Sequence, residues 1–305
     1  MPTVSVVLAT YNGEKYIERQ LTSLVAQNRQ PDEVLIFDDC STDNTVSVIN
    51  SFIDRNHCLN WKVLVNKENI GWRKNFRNGI VTAQGDIVFL CDQDDEWDKE
   101  KISDMTNVLE QNPQIEVLAC NAKIVYEGSK QKHANSAFNN VGLGPLYKVN
   151  LSGKTFRPIR PGCTYAIRKR IIEEFDRLWE ADCAHDAVLW EVGLLRGTTY
   201  ILNRTYVKFY RHEGNNTPVV PRGCRSARIE AIQFRAGRAK AYLDNLEYIT
   251  EKDRKWLTNY IDVVNKRVNF MEMGHLNLML LLLAKIRYYP KFASWCGDIY
   301  AFLRS

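Results

Sequence analysis

The chain has 305 residues, 45% hydrophobic and 25% charged, which is the usage of a globular protein and excludes disordered or collagen-like chains. It is long enough to bury a sizeable core, and its formal net charge of +5 is too small to point to nucleic acid by itself. The charge is uneven: residues 201–305 hold 18 of the 41 Lys+Arg and 9 of the 36 Asp+Glu, so the basic rear calls for a partner of its own.

Thr3 to Ala9 is a β-rich apolar run. It is continuous rather than alternating, which suits a parallel strand covered on both faces. Tyr11-Asn12-Gly13 supplies turn chemistry, and Glu14 to Gln27 has helical spacing. Glu33 to Phe37 reads as a second buried strand ending in Asp38-Asp39. Ser41-Thr42-Asp43 is placed to cap a helix through Ile53. Trp61 to Val65 is a third strand, Asn75 to Ala83 a helix and Asp86 to Cys91 a fourth strand. Alternation of this kind means βαβ units and a mostly parallel sheet. Three strand ends then carry polar clusters: Thr10-Tyr11-Asn12, Asp38-Asp39 and Asp92-Gln93-Asp94-Asp95. Ligands of such sheets bind beyond the carboxyl ends of the strands.

Beyond residue 110 the pattern changes. Ile115 to Cys120 and Lys123 to Tyr126 read as two strands, 128–150 as a long polar loop, Arg168 to Trp179 and Val188 to Leu195 as helices, and Tyr200 to Tyr210 as a strand. A turn at Gly214-Asn215-Asn216, followed by Pro218 and Pro221, leads into a helical pattern over 225–270. There are no internal repeats. The eight cysteines, Cys40, Cys58, Cys91, Cys120, Cys163, Cys183, Cys224 and Cys296, form no C-x-x-C pair. They read as reduced thiols of a cytosolic protein rather than a zinc site. The start has no basic leader, so no signal peptide is expected. The longest apolar stretch, Leu276 to Ala284, is too short to span a bilayer.

Carboxylates crowded after a buried strand repel unless a cation or proton intervenes. Hard divalent cations such as Mg²⁺ or Mn²⁺ take oxygen ligands and share them with phosphates. Asp92, Asp94 and Asp95 therefore read either as a metal–diphosphate site or as a solvated acidic turn. Asp38-Asp39 reads either as an acceptor for a base or ribose or as a helix cap. Tyr11 reads as a stacking platform or as cover for the sheet edge. No G-x-G-x-x-G or Walker A pattern is present, against a dinucleotide site or a P-loop ATPase.

Together the segments VSVVLATYNGEKYIERQLTSLVAQ, DEVLIFDDCSTDNT and NIGWRKNFRNGIVTAQGDIVFLCDQDDEWDKEKI resemble the donor half of glycosyltransferase family 2. That family has the GT-A fold and transfers sugars with inversion. The Asp-Gln-Asp-Asp-x-Trp run is most similar to its bacterial rhamnosyltransferase-like members, and the resemblance extends from about Thr3 to Thr217. It implies an α/β fold: a Rossmann-like, mostly parallel sheet flanked by helices, with a C-terminal helical extension. The expected division is a catalytic domain over 1–217, with a donor half to about 110 and an acceptor half over 111–217, and a basic helical extension over 218–305.

The resemblance also implies roles. Thr10, Tyr11 and Glu14 would line the nucleotide pocket, with Asp39 on the base and Lys74 near the nucleotide or its phosphates. Asp92, Asp94 and Asp95 would hold donor and metal, Asp94 most directly on an Mn²⁺ or Mg²⁺ ion. Gly162, Cys163 and Thr164 fall in the acceptor-side segment. Asp186 stands where the family has its general base, and His212 in the family's late Arg–x–His segment, on the diphosphate or metal. Here Arg211 and His212 are adjacent, which departs from the pattern and leaves open which of them faces the site.

The implied function is metal-dependent transfer from a dTDP- or UDP-linked sugar, rhamnose first, to a surface polysaccharide or lipid-linked precursor. UDP-hexose or UDP-N-acetylhexosamine transfer, an inactive sugar-binding protein and a nucleotidyltransferase are the rivals. No nucleic-acid motif accompanies the basic tail. Basic and aromatic residues from Leu278 to Arg304 read either as a subdomain packing on the core or as a surface lying on anionic membrane. The expected location is cytoplasmic, peripheral on the inner face of the membrane under the second reading.

Overall fold

A computed structural model describes residues 1–127, 138, 140–142, 144–212 and 224–303. Most of the expected loop at 128–150, the turn and prolines at 214–221 and Arg304 lie outside them. The described residues fall into two compact units. One is drawn from Met1–Val149, Arg160–Gly193 and Gly197–Asn215, the other from Asn150–Ile159, Leu194–Arg196 and Asn216–Ser305.

The first unit is a mixed nine-stranded sheet with helices. Its front is parallel: β3 (Trp61–Val65), β2 (Glu33–Asp38), β1 (Val4–Thr10) and β4 (Ile87–Asp92) lie side by side in that order. These are the apolar runs of the sequence, and every residue of β1 is buried. Helices α1 (Ile17–Val25), α2 (Thr45–Asn56) and α3 (Trp72–Thr82) connect them. The capping of α2 differs from expectation. The helix starts after Asn44, and Asp43 Oδ1 accepts from the Thr45 amide at 3.0 Å.

After β4 come the two-residue strand β5 (Glu96–Trp97), α4 (Lys101–Gln111) and β6 (Val117–Tyr126). The two expected strands at 115–126 are one strand. The gap between them is an irregularity in its pairing at Cys120, Asn121 and Ala122. Buried Asn121 donates to Asn140 at 2.7 Å and accepts from Arg160 Nε at 3.0 Å, so its polar side chain is satisfied inside the sheet.

Next are β7 (Leu146–Lys148), β8 (Tyr165–Arg168), α5 (Ile172–Leu178), α6 (His185–Leu195) and β9 (Thr199–Arg211). The helix expected from Arg168 begins later, because 165–168 pairs antiparallel with both β4 and β6. That strand is short and its partners are distant in sequence, so no local period marks it.

The second unit contains α7 (Arg225–Asn245), α8 (Glu251–Met273), α9 (Leu276–Ala284) and α10 (Phe292–Leu303). The helical pattern over 225–270 is broken between Asn245 and Glu251, where Thr250 caps α8 by accepting from the Asp253 amide at 3.1 Å. Among the described residues no helix is long and apolar enough to cross a membrane.

Helix α3 approaches β1 closely at Gly79. A Cβ there would overlap Val7 Cγ1 and lie 3.2 Å from the Phe37 ring. Val7 is buried on a strand and stiff at χ1. Overpacking costs about 1–3 kcal/mol, more than the roughly 0.5–1 kcal/mol that alanine gains over glycine in a helix. Gly79→Ala is therefore expected to lower unfolding free energy in a urea titration. An equal or higher value would mean that α3 moves away freely.

Candidate active site

Parallel pairing of β1 with β4 sets Ala9 opposite Asp92, so the acidic run leaves the sheet beside the Thr10–Gly13 turn. Gln93 ties the two together. It accepts from the Tyr11 amide at 2.9 Å and donates to the Tyr11 carbonyl at 3.0 Å. A Cβ on Gly13 would press on this amide, the movable end of the Gln93 side chain.

Asp92 and Asp95 sit with Cys163, one potential ligand atom from each lying within 4.8 Å of the others. Burial, then the charges of Asp94 and Asp186, push the Asp92 carboxyl up to about 7. Burial and Asp92 raise Asp95 well above the usual range, although its Oδ1 accepts from the Tyr210 amide at 3.2 Å. The Cys163 thiol is raised by burial and then by Asp95. Asp94 instead meets His212, Oδ2 to Nε2 at 2.8 Å, and the His212 ring stacks on Tyr16 at 4.0 Å between centroids. His212 is on Asp94, while the Arg211 guanidinium lies over the Phe209 ring at 4.5 Å.

Asp186 lies in the first turn of α6, where the helix dipole favours an anion. Burial raises its carboxyl to about 6, against hydrogen bonds from the Ala187 and Gly162 amides. Gly162 is glycine because a Cβ would stand 2.9 Å from His185 Nε2 and 3.0 Å from Asp186 Cβ. His185 is buried, stacked 4.0 Å from Phe76, and held neutral by burial, its value lowered to about 3. It is a packing neighbour of Asp186, poorly suited to proton exchange near neutral pH.

The other expected site residues are differently engaged. Thr10 is 2% exposed, and its hydroxyl donates to Asp38 at 2.8 Å. Asp39 accepts from the Ile70 and Gly71 amides at 2.8 and 2.9 Å and so holds the loop before α3. Glu14 accepts from the Asn44 side chain at 3.0 Å. Tyr11 is 39% exposed. Lys74 is exposed on α3, and no hydrogen bond joins it to the acidic cluster among the described residues. Cys163 and Thr164 are buried, and the Thr164 hydroxyl donates to the Pro161 carbonyl at 2.7 Å.

Two basic residues escaped the sequence reading. Lys101 is fully buried, donates to the Cys163 carbonyl at 2.8 Å and covers the Trp97 ring at 3.2 Å. Arg19 lies 3.5 Å over the Tyr210 ring and donates to the Asp94 carbonyl at 2.8 Å. The signal for Lys101 was an i, i+4 relation to Trp97 across the start of α4. It reads equally as a solvated helix lysine.

The profile of the family described as Glycosyl transferase family 2 matches residues 5–176. The dTDP-rhamnosyl transferase RfbG of Shigella flexneri is 29% identical over 220 residues, 68% of this chain and 72% of that protein. Among solved structures, Staphylococcus aureus TarS 1-349 in complex with UDP-GlcNAc superposes with a TM-score of 0.63 at 19% identity, over 98% of this chain and 89% of that one. The mannosyltransferase PcManGT from Pyrobaculum calidifontis, in complex with GDP-Man and Mn²⁺, gives 0.56 at 17% identity, over 99% and 86%.

Asp92 and Asp186 hold their protons more tightly folded than unfolded. Each stabilises the fold fully below its ordinary value of 3.8 and loses that contribution as pH rises through about 6 for Asp186 and about 7 for Asp92. In EDTA the melting temperature is expected to fall between pH 5 and pH 8, and Asp92→Asn to flatten that fall. An unchanged slope in the variant would remove Asp92 as its source.

Proposed function

This chain belongs to glycosyl transferase family 2 and is a glycosyltransferase of GT-A fold that uses nucleotide sugars; we propose that it transfers rhamnose from dTDP-rhamnose, with inversion, to a hydroxyl of a surface polysaccharide or lipid-linked glycan. The observation that carries the chemistry is Asp186: a carboxylate in the first turn of α6, facing the Gly162 amide, electrostatically felt by Asp92 and raised to about 6. At that value it is a stronger base than an ordinary carboxylate, yet ionised at neutral pH. The similarity to RfbG over most of both chains supports the sugar.

In the proposed reaction the acceptor oxygen bonds to the anomeric carbon while the carbon–oxygen bond to the diphosphate breaks. Asp186 takes the hydroxyl proton, and the nucleoside diphosphate leaves with the bonding pair. Asp92 and Asp94, with His212 behind Asp94, are the residues proposed to hold Mn²⁺ or Mg²⁺. Their crowded carboxylates, one of them pushed up to about 7, are the donor set that a hard cation relieves. When bound, the cation offsets charge on the diphosphate. The thiol beside Asp92 and Asp95 suits such an ion poorly, and the raised Cys163 value keeps it protonated. Tyr11, exposed at the end of β1, is the proposed base platform. Thr10, Glu14 and Asp39 act through the loops that they brace, and Gly162 to Thr164 through the placing of Asp186. Lys74 would reach the phosphates from α3.

Asp186→Asn is expected to lower kcat by on the order of 10²–10⁴-fold with donor affinity retained. In the wild type, kcat/KM is expected to rise with pH through an apparent value near 6, since only the ionised carboxylate accepts the proton. A variant as active as the wild type would overturn this assignment. The sugar is tested by donor hydrolysis and thermal stabilisation with dTDP-rhamnose, UDP-glucose and UDP-N-acetylglucosamine, each with Mn²⁺, Mg²⁺ or EDTA. A response to dTDP-rhamnose is expected, and a preference for a UDP-sugar would discard rhamnose while keeping the chemistry.

A further inference from the structure

The helical unit carries a half-open cavity of about 590 Å³, and four arginines line it: Arg157, Arg228, Arg235 and Arg267. Two of them are accounted for. Asp298, 1% exposed, accepts from Arg228 Nε at 2.6 Å and from Arg267 Nε at 2.8 Å. A second Arg228 nitrogen donates to the Ser294 carbonyl. Gly297 has no Cβ that would press on this guanidinium.

Arg157 and Arg235 are different. No carboxylate pairs with either among the described residues. They are near enough to repel: burial and then the like charge of Arg235 pull the Arg157 guanidinium down. Among the described residues, four guanidiniums against one carboxylate leave a net +3 around the cavity, with Phe156, Ile232 and Tyr260 as its apolar wall.

Arg157, exposed, and the half-buried Arg235 share this cavity without a carboxylate among the described residues, and their planar forks match phosphate oxygens. A net +3 favours a multiply charged anion over a single carboxylate. The cavity is larger than a phosphate alone, and its apolar wall suits an organic substituent. We propose that this cavity binds a phosphate-bearing organic ligand, its phosphate held between Arg157 and Arg235. The proposal does not rest on the transfer chemistry proposed above. The phosphate reaches it from a soluble ester or from a lipid headgroup. Leu280, Phe292 and Leu303 of the same unit are exposed, which makes the second source worth an arm of its own.

Cys296 lines the cavity and is exposed, so it reports occupancy directly. The full chain is alkylated with iodoacetamide in EDTA, which removes cation-assisted diphosphate binding elsewhere, and the modified cysteines are read by peptide mass spectrometry. Pyrophosphate, against chloride at equal ionic strength, is one arm. Phosphatidylcholine vesicles with and without phosphatidylglycerol are the other. Saturable, several-fold slowing at Cys296 is expected, with Cys58 unchanged as the reference. Protection by pyrophosphate alone identifies a soluble ester, and protection by anionic vesicles alone a headgroup. Arg157→Gln and Arg235→Gln each relieve repulsion, so both are expected to melt no lower than wild type and to lose the protection. No saturable slowing in either arm, or slowing that survives in both variants, overturns the proposal.

Discussion

Asp92, Asp95 and Asp186 each bring a carboxylate into surroundings that disfavour its charge, and the raised values of all three have burial as their first cause. Asp92 also responds to both Asp94 and Asp186, which joins the end of β4 to the start of α6 electrostatically. Such a cluster persists only because its surroundings are rigid. Strand β4 lies between β1 and β8 in the middle of the sheet, and Asp95 is tied to the Tyr210 amide on β9. Buried Lys101 supplies an opposing charge, although burial lowers its own value as well. Protons, a cation or a substrate must supply the remaining balance.

The neighbouring strand ends show how much polar chemistry goes into scaffold. Asp38, Asp39 and Glu14 accept hydrogen bonds from loops at the ends of β1 and β2. Backbone amides there would otherwise lose their partners, and buried unpaired amides are costly. These carboxylates brace the loops beside Tyr11. Gln93 does the same across to the acidic run. The polar residues at this edge therefore divide into those that hold loops and those left with crowded charge, and only the second group carries the proposed chemistry.

The helical unit repeats the logic with the opposite sign. One buried carboxylate, Asp298, satisfies two arginines, and two more are left facing the same space. An excess of like charge persists in a folded protein where solvent or a ligand offsets it. The cavity makes a ligand the more specific of the two.

Strands β1, β2 and β4 were legible because continuous apolar runs of strand length have few other uses; β3, interrupted by Lys62 and largely exposed, was legible from its β-rich residues alone. The acidic run was legible as a cluster because its members adjoin in sequence. Strand β5 was not, since two residues carry no period and exist as a strand only through β9. Nor was β8, which is four residues paired with β4 and β6. Buried Lys101 and the loop-holding duty of Asp39 were also hidden, because each depends on partners distant in the chain.

By itself the sequence determined the alternating architecture and the residues that bear charge at the strand ends. Tertiary structure decided which of those charges are spent. It brought Asp186 within electrostatic reach of Asp92 and set His212 on Asp94, and among the described residues it left Arg157 and Arg235 without a carboxylate. The reason is range. Periodicity and turn chemistry act over a few residues, whereas pairing and desolvation of a charge depend on whatever the fold places within a few ångströms of it.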